Sequence, residues 1–161
     1  MRSRAFVGAR LGWNPKDVSI DVVGGHSGTT IVPILSRIPS LPEAEHAEIT
    51  DKIQNAGTVV VNAKAGKGSA TLSMAKAGAQ FAISLIKALN GEKGIVECAY
   101  VESDVTECQW FATPCELGVE GLEKNLGLPA LSAFETEKLA EAITELQPSI
   151  AEGKEFVANN A

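Results

Sequence analysis

One imidazole framed by glycines and hydroxyls, Gly24-Gly25-His26-Ser27-Gly28-Thr29-Thr30, is the stretch of this 161-residue sequence best suited to chemistry. An imidazole, with an unperturbed pKa of about 6.5, gives and takes a proton near neutral pH. Glycines beside it let the chain turn sharply and let a second molecule approach the backbone. The same residues also fit a tight strand-to-strand turn in which His26 only satisfies a neighbour. Other groupings are weaker. A serine nucleophile elbow needs Gly two residues after Ser27, and Thr29 stands there. Gly66-Lys67-Gly68-Ser69 is not a phosphate loop, because Val61 occupies the opening Gly position and Gly68 follows the Lys. Ser69 and Ala70 fall where a helix N-terminus would offer N–H groups to an anion, or would start a helix without a ligand. Arg2 and Arg4 carry fork-shaped guanidinium groups that suit a carboxylate, and isolated arginines equally suit surface ion pairs. His46 lies on a polar helix and is expected at the solvated surface.

Several function classes are disfavoured. Fourteen basic residues against 20 acidic ones give a net charge of −6, with no basic stripe for nucleic acid. No segment approaches the roughly 20 apolar residues of a membrane span. Met1-Arg2-Ser3-Arg4 runs into Phe6 without the apolar region of a signal peptide, so a soluble chain is expected. Cys98, Cys108 and Cys115 lack metal-site spacing and read as buried free thiols of a reducing or mitochondrial compartment. No metal is expected. No Gly-x-Gly-x-x-Gly follows a strand, so no segment is expected to hold a dinucleotide pyrophosphate.

The elements that would position these groups follow from periodicity and punctuation. Arg2 to Leu11 reads as a helix stopping near Gly12. Strands are expected over Val18–Val23 and Thr30–Leu35, flanking His26, the second suited by its Pro33 to an edge or a strand terminus. A helix opens at Pro42-Glu43 and is expected to close at Asn55-Ala56-Gly57, followed by a strand over Thr58–Ala63. A loop at Gly66–Thr71 leads into a helix from about Leu72 to Leu89 whose small and apolar residues predict deep burial. Ile95–Val101, Gln109–Ala112 and Glu116–Val119 read as antiparallel strands, and Phe134–Val157 as a helix interrupted at Pro148. Grouped strands and segregated helices make an α+β fold, an antiparallel sheet with long packed helices, in one domain spanning 1–161.

Four blocks, in order, carry a resemblance. They are Val22 to Pro33, Ile53-Gln54-Asn55-Ala56-Gly57-Thr58, Ala63 to Met74, and Gly94-Ile95-Val96-Glu97-Cys98-Ala99-Tyr100-Val101. Across nearly its whole length the chain resembles the C-terminal catalytic domain of the lactate/malate dehydrogenase family, in its NAD-dependent malate dehydrogenase branch of mitochondrial and bacterial type. Thr106-Glu107-Cys108 and Glu123-Lys124-Asn125-Leu126-Gly127 look more like the eukaryotic mitochondrial members.

The resemblance implies that His26 is the acid/base residue of the malate–oxaloacetate interconversion and that Arg2 pairs with a substrate carboxylate. It further implies that Ser69 and Ala70 line the substrate site and that Met74 contacts the NAD cofactor. In the family an Asp three positions before Arg2 steadies the imidazolium, and a Rossmann domain with further substrate arginines holds NAD. None of these has a counterpart in this sequence. The expectation is therefore a mitochondrial-matrix enzyme of the tricarboxylic acid cycle, homodimeric when full length, represented here by a truncated chain inactive by itself. The alternative is a non-catalytic dimerisation or binding module derived from that enzyme.

Overall fold

The computed structural model describes residues 1–160. Helix α1 (Arg2–Leu11) ends at Gly12, whose φ of +68° is the left-handed geometry a glycine supplies without a Cβ penalty. Strands β1 (Val22–Gly24) and β2 (Ile31–Pro33) form a hairpin that encloses a 3-10 turn at Gly28–Thr30. A second 3-10 turn, Glu43–Glu45, leads into α2 (His46–Ala63), and α3 (Thr71–Leu89) follows after a short loop. Then come β3 (Ile95–Glu102), β4 (Trp110–Gly118), β5 (Gly121–Asn125) and α4 (Ala133–Asn160).

All strand pairings are antiparallel, in the order β2-β1-β4-β3 with β5 also on β4. This is the expected α+β architecture. The β1–β2 hairpin separates two apolar cores. Val23 and Val32, cross-strand partners, pack with Ile34, Phe111, Ala142 and Leu146 beneath α4. On the other side Val22 and Ile31 meet Val7, Val18, Ile20, Leu35, Ile49 and Ile53 beneath α1 and α2. Alternation along the hairpin, with period two, is what divides the side chains between these cores.

Several expectations are corrected. Helix α2 runs through Gly57 to Ala63, so neither the stop at Asn55–Gly57 nor the strand at Thr58–Ala63 exists. The β-branched run Thr58-Val59-Val60-Val61 favours a strand only weakly, and the helix overrides it. The true stop comes at Ala65 and Gly66, with φ of +49° and +78°. His46 is buried rather than solvated. It falls three and seven residues before Ile49 and Ile53, hence on the inward stripe of α2, and both ring nitrogens lack a partner.

Helix α3 is exposed along most of its length. Only Ala88 is buried, while Leu72 is 88% and Ile83 56% exposed. Its partly buried side meets the sheet, where the Ser84 hydroxyl donates to Glu97 Oε1 at 2.7 Å, while Leu72, Met74, Ile83, Ile86 and Leu89 are exposed.

Strand β4 is continuous where two strands were expected. It passes through Pro114, and β5 pairs with it beyond Gly118, where no strand was expected. The Pro114 carbonyl accepts from Leu126 N–H at 2.9 Å. A strand residue points its N–H and C=O to the same edge, so the missing proline N–H faces the gap between β1, paired at Ala112, and β5, paired from Cys115. Helix α4 likewise continues past Pro148. The carbonyl deprived of its donor belongs to Thr144, which is exposed to water.

The expected strands around His26 are shorter than their apolar runs. Val18 and Ile20 are buried without pairing. Cys108 and Cys115 are buried free thiols, and Cys98 is partly buried, its thiol pushed up by burial. No described helix is long and apolar enough to cross a membrane.

Candidate active site

The turn that carries His26 is built by close approach of backbone to backbone. Gly24 adopts φ +99°, and a Cβ there would overlap the Thr30 carbonyl oxygen. A Cβ on Gly25 would lie 2.6 Å from Thr30 Oγ1 and 2.8 Å from Leu146 Cδ2. Both glycines are therefore required sterically, whatever His26 does. Gly25 N–H donates to the Thr30 carbonyl at 2.8 Å, and Ser27 N–H donates to Thr30 Oγ1 at 3.1 Å. That hydroxyl donates in turn to the Ser27 carbonyl at 2.6 Å. Thr30 is buried and staples the loop, leaving His26 exposed at its tip.

Two helices strap this turn from outside. The Gln54 amide on α2 donates to the carbonyls of Thr29, at 3.3 Å, and Ile31, at 3.0 Å. The Thr29 hydroxyl donates to the Glu145 carboxylate on α4. Near the start of α4, Glu135 accepts from Ser36 N–H at 2.8 Å, Ser36 Oγ at 2.6 Å and Ser132 N–H at 2.7 Å. Ser132 Oγ accepts from Glu135 N–H at 3.2 Å, which completes a reciprocal capping box. Burial works against the Glu135 charge, but these donors outweigh it and hold the carboxyl below its ordinary value.

Arg2 opens α1, and its guanidinium lies on α2. A Cβ on Gly57 would sit 3.2 Å from Arg2 Nη1. Gly57 is thus a seat for the guanidinium and not a helix stop. Gln54 and Gly57 are three residues apart, which in an α-helix is a rise of about 4.5 Å on nearly one face. One turn of α2 therefore carries both the strap on the His26 loop and the seat of Arg2. Arg2 and Arg4 stand with the Met1 amino group at the positive end of α1, in a helix without an acidic residue in its first turn. Burial, then Arg4 and Arg2, hold that amino group below its ordinary value. In a chain of net charge −6 this is a local cationic concentration suited to a carboxylate.

Ser69, Ala70 and Met74 are arranged separately. Lys64 Nζ and Thr71 Oγ1 both donate to the Ser69 carbonyl, at 2.6 and 3.1 Å. Ser73 Oγ and Met74 N–H donate to the Ala70 carbonyl, at 2.9 and 3.1 Å. Ser69 and Met74 are exposed, and among the described residues no hydrogen bond ties this segment to His26 or Arg2. The structure brings Arg2 and the His26 loop onto one scaffold helix and leaves Ser69, Ala70 and Met74 on their own.

The residues do not fit a complete dinucleotide site. A wholly antiparallel sheet contains no β-α-β unit to place a helix N-terminus against a pyrophosphate. Met74 offers an exposed thioether and no more.

Residues 1–157 match the family model described as lactate/malate dehydrogenase, alpha/beta C-terminal domain. The chain belongs to the lactate/malate dehydrogenase family. It is 51% identical over 162 aligned positions to mitochondrial malate dehydrogenase of Sus scrofa, and 48% identical over 160 to that of Homo sapiens. These alignments take in 99% and 98% of this chain, but 48% and 47% of the relatives. The chain spans about half the length of the curated relatives it matches. Among solved structures, malate dehydrogenase of Picrophilus torridus in its apo form superposes with a TM-score of 0.75 at 23% identity, covering 99% of this chain and 52% of that one. The enzyme from Salinibacter ruber gives 0.75 at 20% identity, with 99% and 53% covered. These likenesses agree with the architecture of a malate dehydrogenase C-terminal domain.

Gln54, Gly57 and Glu145 were not singled out from sequence as parts of the site, and Thr30 was quoted with the His26 stretch without its stapling role. Gln54 and Gly57 stand in one of the family blocks, yet nothing local distinguishes a strap or a seat from an ordinary helical Gln or a stop Gly.

Proposed function

We propose that this chain is the catalytic and substrate-binding half of an NAD-dependent malate dehydrogenase, residues 1–161 forming one domain. The whole enzyme interconverts (S)-malate and oxaloacetate in the tricarboxylic acid cycle, in the mitochondrial matrix, as a homodimer. The observation that carries the reading is the turn of α2 that straps the His26 loop through Gln54 and seats Arg2 on Gly57. His26 takes the hydroxyl proton of malate and returns it to the carbonyl oxygen of oxaloacetate. Arg2 pairs with one substrate carboxylate through its guanidinium fork, which orients the reacting carbon toward the imidazole. Ser69 and Ala70 would line the substrate, and Met74 would contact the nicotinamide. NAD, when bound, supplies the hydride chemistry, and its pyrophosphate is held outside these residues.

The chain alone is therefore inactive. The test is oxaloacetate-dependent NADH oxidation by the 161-residue chain and by the same chain joined to the N-terminal half of a mitochondrial relative. The joined protein turns over and His26→Asn abolishes it, while the short chain is silent. Turnover by the short chain, or by joined His26→Asn, would overturn the reading. A second reading, a non-catalytic dimerisation module, draws support from the exposed Leu72, Ile83 and Ile86 of α3. It predicts a dimer by sedimentation together with a joined protein that binds but never turns over.

A further inference from the structure

We infer that the groove between the β3–β4 hairpin and the last turns of α4 binds a small carboxylate carried on an apolar body, independently of the reading above. The groove is open to solvent and offers about 630 Å³, within the range of small-molecule sites. The strand register places Trp110 opposite Glu102 and Ala112 opposite Tyr100, so Tyr100 and Trp110 are diagonal neighbours on one face, within mutual reach. Ile150 and Val157 of α4 complete the apolar wall. Between them Gly153 leaves open space where a side chain would stand.

The charged side chain in its lining is cationic. Among the described residues Lys154 is the only charged side chain that lines it, and Glu102, across from Trp110 on the same face, is bonded to Gln109 at its edge. Lys154 Nζ donates to Gln109 Oε1 at 2.9 Å, and Gln109 Nε2 donates to Glu102 Oε1 at 2.5 Å. The amide thus stands between the ammonium and the nearby acid. Glu107 and Lys154 both line an adjoining cleft, yet among the described residues Lys154 forms no ion pair. An ammonium has three N–H donors, and one is engaged. The Tyr100 hydroxyl, pushed up by burial, and the Trp110 indole N–H add further donors to the same lining. Aromatic walls with donors and a free cation complement an apolar anion and disfavour a purely apolar one.

The probe is monomeric sodium decanoate, read by tryptophan fluorescence in a Trp13→Phe background, which leaves Trp110 as the sole tryptophan. Decanol carries the tail without the charge, and acetate the charge without the tail. A saturable shift with decanoate that neither control reproduces is expected. Lys154→Ala should weaken it about tenfold, the loss of one charge-assisted hydrogen bond. Gly153→Leu, which fills the groove while favouring the helix, should abolish it. Equal binding of decanol, the absence of a saturable shift, or unchanged affinity in either variant would overturn the proposal.

Discussion

The His26 turn and the 64–74 segment are both glycine-bearing loops quoted in the family resemblance, and they are held in opposite ways. The first is fastened to α2 through Gln54 and to α4 through Glu145, over a buried Thr30. Among the described residues the second is held by side-chain bonds within the segment, from Lys64 and Ser73, and opens a helix that exposes Leu72 and Ile83. A loop tied to several elements holds its side chain in place without outside help. A loop tied to itself acquires its orientation from whatever covers its helix, so the two halves of the proposed site differ in how far this chain alone preorganises them.

Side-chain deletion should expose the contrast most sharply. Phe111→Ala, in the core beneath α4, should cost about 4 kcal/mol, whereas Leu72→Ala on α3 should change stability by less than about 0.5 kcal/mol. Chemical denaturation of the two variants measures both, and equal losses would erase the distinction. Backbone substitution follows. Gly24→Ala should cost about 3 kcal/mol, because positive φ and steric overlap coincide there, and Gly66→Ala about 1 kcal/mol, because only φ is at issue.

Glu135→Gln should cost about 2 kcal/mol at neutral pH, since the neutral amide cannot serve all the donors that converge on the carboxylate. The pH dependence has a definite sign. The carboxyl is held below its ordinary 4.5 in the folded chain, so its stabilisation is complete above pH 4.5 and disappears as pH falls through the lower folded value. Denaturation midpoints of the parent and Glu135→Gln should therefore converge in that acid range. The smallest effect concerns a flaw inside the well-fastened half: His46→Leu should stabilise by about 1 kcal/mol, because it removes two unpartnered buried ring nitrogens.

What the sequence made legible was local. Gly12 ended α1, and Gly24-Gly25 ended β1, because a positive φ or a close backbone approach leaves a glycine that can be read directly. Gly57 misled for the same reason. Its glycine serves a guanidinium 55 positions earlier, and no local rule distinguishes that from a helix stop. His46 shows a different limit, since its polarity outweighed the helical spacing that places it beside Ile49. The exposed face of α3 could not be read at all. Apolar periodicity announces that a surface wants covering, and says nothing about whether the cover belongs to the same stretch of chain.

The Arg2 seat sets a limit on thermostabilisation. A glycine in the interior of a helix is a standing invitation to substitute alanine, worth about 1 kcal/mol in propensity. At Gly57 that substitution would push a methyl group against the guanidinium it now supports. A programme that ranks changes by helix propensity alone would gain a more durable domain and unseat the Arg2 side chain.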